Sequence, residues 1–232
     1  MGAIEKSGPR ADDPRVVRTR AAVFEAARKL FLEQGYSGTT MDQIAAAAGL
    51  TKRTLYNNYG DKHALFTRII ADVLVYVERF ARGLDAELSV EAVAPNVREA
   101  LEAVGGRLAL AILRPEVIVL RRLLIGESRT FPGLAAEYFE RAPGQVLRSL
   151  AAAFANMSRH GLLRVADPTR VAAQFAYLIA GEFLDRAIMI EVLPSQEQII
   201  ACAKEGVQTF WVRYGVGAPR TPRARRPSSA SA

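Results

Sequence analysis

Residues 39–66 read TTMDQIAAAAGLTKRTLYNNYGDKHALF, and this stretch decides the fold of the first part of the chain. Thr40 followed three residues later by Gln43 has the pattern of a capping box, which opens a short helix. Gly49 allows the sharp turn that ends this helix. Thr51 then caps a second short helix. Two short capped helices joined by a glycine turn have the dimensions of a helix-turn-helix unit.

The second short helix has one apolar residue that faces inward and a polar surface opposite to it. With Leu55 pointing inward and a rotation of 100° per residue, the outward side chains all carry hydrogen-bonding groups. They are Lys52, Arg53, Thr54, Tyr56 and Asn57. Arginine matches a guanine edge and asparagine an adenine edge, whereas hydroxyl groups suit phosphate oxygens. From spacing alone, a solvated helix and a DNA-reading helix explain this surface equally well.

The same stretch closely resembles the DNA-binding domain of TetR-family transcriptional regulators. In that family a Gly-Tyr or Gly-Phe step ends the first helix, as Gly35-Tyr36 does here. A Thr-Thr start, a buried Ile-Ala pair, a Gly-Leu turn, a Thr-Leu-Tyr run, and then a lysine and an aliphatic-Phe step follow at the family's spacing. The resemblance covers about the first 80 residues. Asn57-Asn58 departs from the family, where an aromatic residue followed by His or Tyr is common, and this departure bears on which operator is bound.

The resemblance implies DNA contacts at particular positions. The expected base contacts are Lys52, Arg53, Tyr56 and Asn57. The expected contacts to the DNA backbone are Thr40, Thr54, Asn58, Tyr59 and Lys62. It also implies a homodimer, which would place two recognition helices about one DNA turn, or a multiple, apart on a palindromic operator.

The whole body of the chain predicts helices, so the expected fold class is all-α. No run alternates as a strand would, and several prolines stand at plausible helix starts. We expect an N-terminal three-helix helix-turn-helix domain and a larger helical ligand-binding and dimerisation domain (about nine helices). The expected segments are a flexible arm at 1–13, the helix-turn-helix domain at 14–60, a connecting helix at 61–84, the effector-binding and dimerisation domain at 85–214, and a disordered basic tail at 215–232.

Positive charge is concentrated at the two ends of the chain. Residues 1–65 carry ten basic and seven acidic side chains, residues 66–214 carry seventeen of each, and residues 215–232 carry four arginines and no acid. A basic end beside a neutral middle indicates a polyanion contact in one part of the protein and a different task in another. The basic tail could add nonspecific DNA affinity or be a solvated end.

Residues 121–152 resemble the C-terminal domain of the AefR-like and AcrR-like branch of the same family. The resemblance rests on Ile-Gly-Glu, Phe-Pro-x-Leu and Tyr-x-x-x-x-Pro steps. We expect a ligand pocket among the middle helices. For each candidate residue, core packing or a solvated surface position is the alternative to ligand contact. The candidate lining residues are Arg121, Arg122, Glu127, Tyr138, Phe139, Phe175, Tyr177 and Glu182. The neutral, apolar character of this part favours a small apolar or aromatic effector.

The last two predicted helices, at 168–191 and 195–214, are apolar on more than one side. This broad coverage favours a partner surface, although each residue could equally belong to the core of one chain. In the family such helices form a four-helix bundle across a two-fold axis. The candidate dimer residues are Phe175, Leu178, Ile179, Phe183, Ile190, Ile199, Ile200, Val207 and Phe210.

An enzyme is the first competing class of protein, and the sequence argues against it. The two histidines, His63 and His160, lack the spacing of a metal site. The chain contains no P-loop, G-x-S-x-G, G-x-G-x-x-G or H-E-x-x-H motif. The single cysteine, Cys202, is expected to be an inert buried thiol. We therefore expect no catalytic residues, no metal and no cofactor.

Composition completes the sequence-based prediction. The chain is 50% hydrophobic and 24% charged, as ordinary globular proteins are. No stretch is apolar over the ~18 residues of a membrane span, and the N-terminus has no apolar signal-peptide region, so we expect a cytoplasmic protein. The expected function is that of a ligand-released repressor. The alternatives are a transcriptional activator and an architectural DNA-binding protein without an effector.

Overall fold

The structure is a computed structural model that describes residues 14–217. The predicted arm at 1–13 and residues 218–232 of the predicted tail lie outside the described residues. Within the described range all secondary structure is helical except an isolated β-bridge between Leu163 and Gly215. The all-α prediction is therefore confirmed.

Eleven α-helices follow one another along the described chain. They are α1 (Pro14–Gly38), α2 (Met41–Ala47), α3 (Lys52–Tyr59), α4 (Lys62–Glu87), α5 (Val90–Val93), α6 (Val97–Ile112), α7 (Pro115–Gly126), α8 (Pro132–Arg141), α9 (Pro143–Arg159), α10 (Pro168–Ile190) and α11 (Gln196–Tyr214). None of these helices combines the length and the apolar character that crossing a membrane requires.

Local sequence accounts for most of the helix starts. Helices α7, α8, α9 and α10 begin at a proline, which has no N–H group to leave unpaired at a first helical position. The predicted capping box at the start of α2 is present, and so is the one at the start of α11. Asp167 caps α10 by accepting the Arg170 N–H at 3.1 Å.

The described residues form two compact units. The first contains residues 14–76 and 116–140, and the second contains residues 77–115 and 141–217. Helix α4 contributes residues to both units. Residues 116–140, which the sequence analysis placed in the C-terminal domain, thus cluster with the helix-turn-helix residues. The two units therefore differ from the predicted domains, which are continuous in sequence with a boundary near residue 84.

The first unit is built around an aromatic cluster next to the helix-turn-helix. Phe31 and Phe66 are buried, and their ring centroids lie 5.3 Å apart at nearly right angles. Tyr36 lies 5.3 Å from Phe66 and 4.7 Å from Phe131. Edge-to-face pairs of this kind add to the gain from apolar burial. Phe131 directly precedes α8, so a residue distant in sequence completes this core.

The second unit packs α6, α9, α10 and α11 around a second aromatic cluster. Phe154, Phe175 and Phe210 are fully buried, and their centroids lie 5.0–5.4 Å apart. Gly206 brings α11 against α10, because a Cβ there would overlap the Leu178 carbonyl oxygen. A Cβ at Gly105 would lie 2.9 Å from Val207 Cγ2. Gly105 therefore serves close packing inside an unbroken α6, whereas a Cβ at Gly106 would meet no atom within 4 Å.

Candidate DNA-binding interface

The turn between α2 and α3 has a defined backbone geometry. Gly49 has a φ of 67°, which is the left-handed conformation that glycine adopts without strain. Its N–H donates to the Ala46 carbonyl at 3.2 Å, and the Leu50 N–H donates to the Ala45 carbonyl at 2.9 Å. These bonds satisfy the last carbonyls of α2. The turn thus fixes the direction of α3 relative to α2.

Helix α3 is fixed at its start and by its inward side. The Thr51 hydroxyl oxygen accepts the Thr54 N–H at 3.2 Å and caps the helix. Leu55 has no exposed surface. The predicted exposure is confirmed for four of the five outward side chains. Those exposed are Lys52, Arg53, Tyr56, Asn57 and Asn58, and Thr54 and Tyr59 are half-buried.

The outward side of α3 offers hydrogen-bonding groups that the fold does not use. Arg53, Asn57 and Asn58 form no hydrogen bond or ion pair within the described part of the chain. The Tyr56 side chain is 46% exposed. A free guanidinium and a free carboxamide are the groups that bond base edges in the major groove. The exposed side of α3 therefore has the chemistry of a DNA-reading helix.

Lys52 differs from its neighbours because it has a partner inside the protein. Its ammonium group donates to the Asp42 carboxylate, which comes from the first turn of α2. The hydrogen bond and charge of Asp42 raise the pKa of Lys52 above its ordinary value. The pair is not evident from the sequence, because ten residues and a turn separate its members.

Three of the predicted DNA-backbone contacts have structural tasks as well. The Thr40 hydroxyl caps α2 by accepting the Gln43 N–H at 3.2 Å. The Thr54 hydroxyl lies 2.8 Å from the Thr51 hydroxyl. The Tyr59 ring packs against Phe24 with centroids 6.1 Å apart, and burial raises the pKa of Tyr59. Their availability to phosphate oxygens is thereby reduced.

Lys62 has a different task from the predicted phosphate contact. Its ammonium group donates to the Tyr36 carbonyl at 2.7 Å and to the Thr39 carbonyl at 2.8 Å. It also lies 4.3 Å from the centre of the Tyr36 ring. Carbonyl oxygens left over at the end of α1 attract a cation. Lys62 therefore ties the end of α1 to the start of α4, and its charge is engaged within the fold.

Glu127, from residues 116–140 of the first unit, also binds the end of α1. Its Oε1 accepts the Tyr36 N–H at 3.0 Å, next to the kink at Gly35 with its φ of 71°. Burial raises the pKa of Tyr36, and the charges of Asp61 and Glu127 add to this shift. The Oε1 atom of Glu127, a predicted ligand-lining residue, therefore makes a hydrogen bond to the end of α1.

The structure divides the other ligand-lining candidates between the two units. Arg121, Arg122, Tyr138 and Phe139 belong to the first unit, where Arg121 Nε donates to the Tyr138 hydroxyl at 3.4 Å. Phe175, Tyr177 and Glu182 belong to the second unit. Tyr138 and Phe175 are buried, whereas Phe139, Tyr177 and Glu182 are exposed. With Glu127, five of the eight candidates belong to the first unit and three to the second.

Cys202 is half-buried and not fully buried as predicted. Its sulfur lies 4.0 Å from Glu182 Oε2. Burial raises the pKa of the Cys202 thiol, and the nearby Glu182 and Glu205 charges raise it further. Because the thiolate is the reactive form, these effects keep the thiol unreactive. Among the described residues no group of three potential metal ligands comes together.

The dimer candidates separate into core and surface. Phe175, Ile179, Ile199, Val207 and Phe210 are buried inside a single chain. They cannot also present surface to a partner, so this part of the predicted set is corrected. Leu178, Ile190 and Ile200 are exposed, and Phe183 is half-buried. The same helices and the loop between them expose further large apolar side chains, namely Tyr177, Met189, Val192, Leu193 and Val212.

A capped helix-turn-helix with a polar outward helix, followed by a large helical domain, defines a class of DNA-binding regulators. Comparison with known families agrees with this class. Residues 23–69 match the bacterial regulatory proteins of the TetR family, and residues 99–216 match the C-terminal domain of AefR-like transcriptional repressors. The chain therefore belongs to the TetR family of transcriptional regulators, which are not enzymes.

Individual relatives agree with this assignment. The transcriptional regulator TcmR of Streptomyces glaucescens is 29% identical over 149 residues, which is 63% of this chain and 65% of TcmR. A TetR-family regulator from Mesorhizobium loti MAFF303099 has a similar structure, with a TM-score of 0.69 and 26% identity over 88% of this chain and all of that one. AibR, solved with isovaleryl coenzyme A and operator DNA, has a TM-score of 0.56 and 27% identity over 84% of this chain and 97% of AibR.

Proposed function

We propose that this regulator is a repressor whose α3 helices read a palindromic operator from the major groove. The observation that carries the proposal is the outward side of α3, where Arg53, Tyr56 and Asn57 are exposed around a fully buried Leu55. Together with Lys52 they supply donors and acceptors for base edges. The exposed Asn58 is the proposed contact to the DNA backbone, with the hydroxyl groups of Thr40 and Thr54 as further candidates.

The second part of the proposal is a homodimer formed through α10 and α11. Its support is the exposed apolar surface of these helices, which includes Leu178, Ile190 and Ile200 with Phe183 beside them. Met189 is 77% exposed. Large apolar side chains that stay exposed on one chain favour a partner surface. A symmetric dimer places two α3 helices on two half-sites of one operator.

The third part is release of the operator by a small effector. AibR, a structural neighbour, binds both isovaleryl coenzyme A and operator DNA. We propose an effector with an apolar or aromatic portion, bound in the C-terminal domain. An effector that prefers the form unable to bind DNA weakens DNA binding by the same coupling free energy with which DNA weakens effector binding. A coupling of about 1–3 kcal/mol changes the affinity roughly 5–150-fold. Since the partner is chromosomal DNA, we place the protein in the cytoplasm.

Selection from genomic DNA tests the proposal directly. The purified protein is incubated with fragmented DNA of its own genome at ~150 mM salt, which suppresses nonspecific phosphate binding, and the retained fragments are sequenced. We expect enrichment of a few palindromic sites. Retention without sequence preference would instead support an architectural protein. If no fragment is retained, mass spectrometry of the denatured sample shows whether a co-purified effector held the protein in its released form, and the absence of any such molecule would contradict the proposal.

A further inference from the structure

The DNA-reading surface contains one carboxylate that the caps and the core do not need. Asp42 is the single acidic residue in helices α2 and α3. The cap of α2 is made by Thr40 and Gln43. The Asp42 carboxylate binds the ammonium group of Lys52, the first residue of α3. Its side chain is 47% exposed and that of Lys52 is 68% exposed, so the pair lies open on the surface.

A carboxylate at this place acts against phosphate binding. A free lysine neutralises a DNA phosphate and releases a counterion, which supplies most of the nonspecific affinity. Lys52 paired with Asp42 brings almost no net charge to the duplex, so this gain is largely lost. Arg53, which follows directly, has no such partner among the described residues. The neutralisation is therefore confined to one of the two cations at the start of α3.

Pairing with a carboxylate leaves the reading of a base edge largely intact. A lysine ammonium has three N–H donors, and one of them goes to Asp42. The remaining donors can reach the N7 and O6 acceptors of a guanine, which carry no formal charge. The Asp42 pair therefore weakens contacts with phosphate more than contacts with bases. Pairing also holds the flexible side chain in one position.

We propose that Asp42 is a specificity-determining residue, which holds the Lys52 ammonium so that this lysine serves operator bases and not phosphates of any sequence. The inference rests on the proposed function, because it requires a specific operator. Without the Asp42 carboxylate, Lys52 becomes an additional phosphate-binding cation. The discrimination between operator and random DNA then falls, although the total affinity for DNA rises.

Asp42→Asn tests the inference, because it keeps the size of the side chain and removes its charge. Binding to an operator duplex and to a random duplex of equal length is measured over a range of salt concentrations. For random DNA we expect the slope of log K against log[salt] to steepen by about 0.9 for each α3 helix bound. At ~150 mM salt, a change in slope of this size corresponds to a rise of roughly fivefold in random-sequence affinity per helix. The operator affinity should rise less than twofold, so that the specificity ratio falls.

Two matched variants separate the pair from a general effect of charge. Glu25 also holds a basic side chain, Arg28, at 2.6 Å, but within α1. Glu25→Gln removes the same charge and should leave the specificity ratio unchanged. In a Lys52→Gln background, Asp42→Asn should lose most of its effect on the salt slope. An equal effect in both backgrounds would overturn the inference, because simple repulsion between Asp42 and DNA would then be sufficient.

The wild-type measurement separates the two possible failures. A wild-type protein that prefers its operator, together with an Asp42→Asn variant of unchanged salt slope, would overturn the role of Asp42 and leave the proposed function standing. A wild-type protein without any preference would overturn both. Thermal unfolding of each variant shows that the helices remain folded. A loss of helix-dipole stabilisation at α2 alone would lower stability without changing the salt slope.

Discussion

Helices α2 and α3 depend mainly on local sequence, whereas α10 and α11 depend on distant partners. The first pair is defined by Thr40, Gln43, Gly49 and Thr51, which lie within twelve residues of one another. Helices α10 and α11 also have clear caps, but their own apolar side chains point to more than one side. Which side is core is decided by α6 and α9, which lie elsewhere in the chain. Caps therefore determine where each of these helices begins, whereas the helices packed against it determine which side is buried.

The largest expected effect that tests this contrast comes from two apolar residues of α11. Phe210 is fully buried against Phe154 and Phe175, whereas Ile200 is 49% exposed. Phe210→Ala should lower the free energy of unfolding by about 3–5 kcal/mol, because it leaves a cavity. Ile200→Ala should change the unfolding of the single chain by less than ~0.5 kcal/mol. Denaturant titration of both variants, at a protein concentration where the chain is monomeric, measures the difference.

Equal losses for the two residues would show that Ile200 is also part of the core. Sedimentation of the same variants tests the proposed interface. A weaker dimer with Ile200→Ala and a preserved monomer fold are expected. An unchanged dimerisation constant would remove Ile200 from the proposed interface.

A smaller effect tests how local the DNA-reading part is. Glu127→Ala removes the acceptor of the Tyr36 N–H, which lies 91 residues earlier in the chain. We expect a loss of about 1–2 kcal/mol, because a partly buried donor is left unpaired. Glu127→Gln keeps an acceptor oxygen and should recover most of the stability. Thermal unfolding of both variants measures the loss, and an unaffected Glu127→Ala protein would mean that α1 to α3 need no support from residues 116–140.

The smallest expected change concerns the capping box of α2. Thr40→Ala removes the acceptor of the Gln43 N–H and should lower stability by about 1 kcal/mol. Thr40→Ser keeps the hydroxyl and is the matched control. Amide hydrogen exchange at residues 41–45 should speed up in the alanine variant alone. Equal exchange in both variants would show that the cap is unnecessary for the α2 start.

The sequence predicted the elements of the DNA-reading part because their determinants are close together. Glycine and threonine at the helix ends, and one leucine among polar residues in α3, were sufficient for the position and the exposed side of that helix. It did not predict the Asp42–Lys52 pair or the hydrogen bond of Glu127 to Tyr36. Both connect residues that only the folded turn and the folded unit bring together.

Prediction was weaker for the second unit for a different physical reason. Apolar residues at helical spacing are equally suited to a core and to a partner surface. Phe175 and Leu178 are one helical turn apart in α10, yet Phe175 is buried and Leu178 is exposed. Only the packing of α6, α9 and α11 against α10 distinguishes the two positions. The ligand candidates had the same ambiguity, and the two units divide them.

Arg53→Ala is the sharpest test of whether the outward side of α3 reads DNA sequence. Arg53 is exposed and unpaired within the described residues, so its loss should leave stability within ~0.5 kcal/mol. Binding of wild-type and variant protein to the selected operator and to random duplex is measured at one salt concentration. We expect operator affinity to fall by about 1–3 kcal/mol, and random-sequence affinity to fall much less. An equal loss on both duplexes would contradict it, because Arg53 would then contact only phosphates.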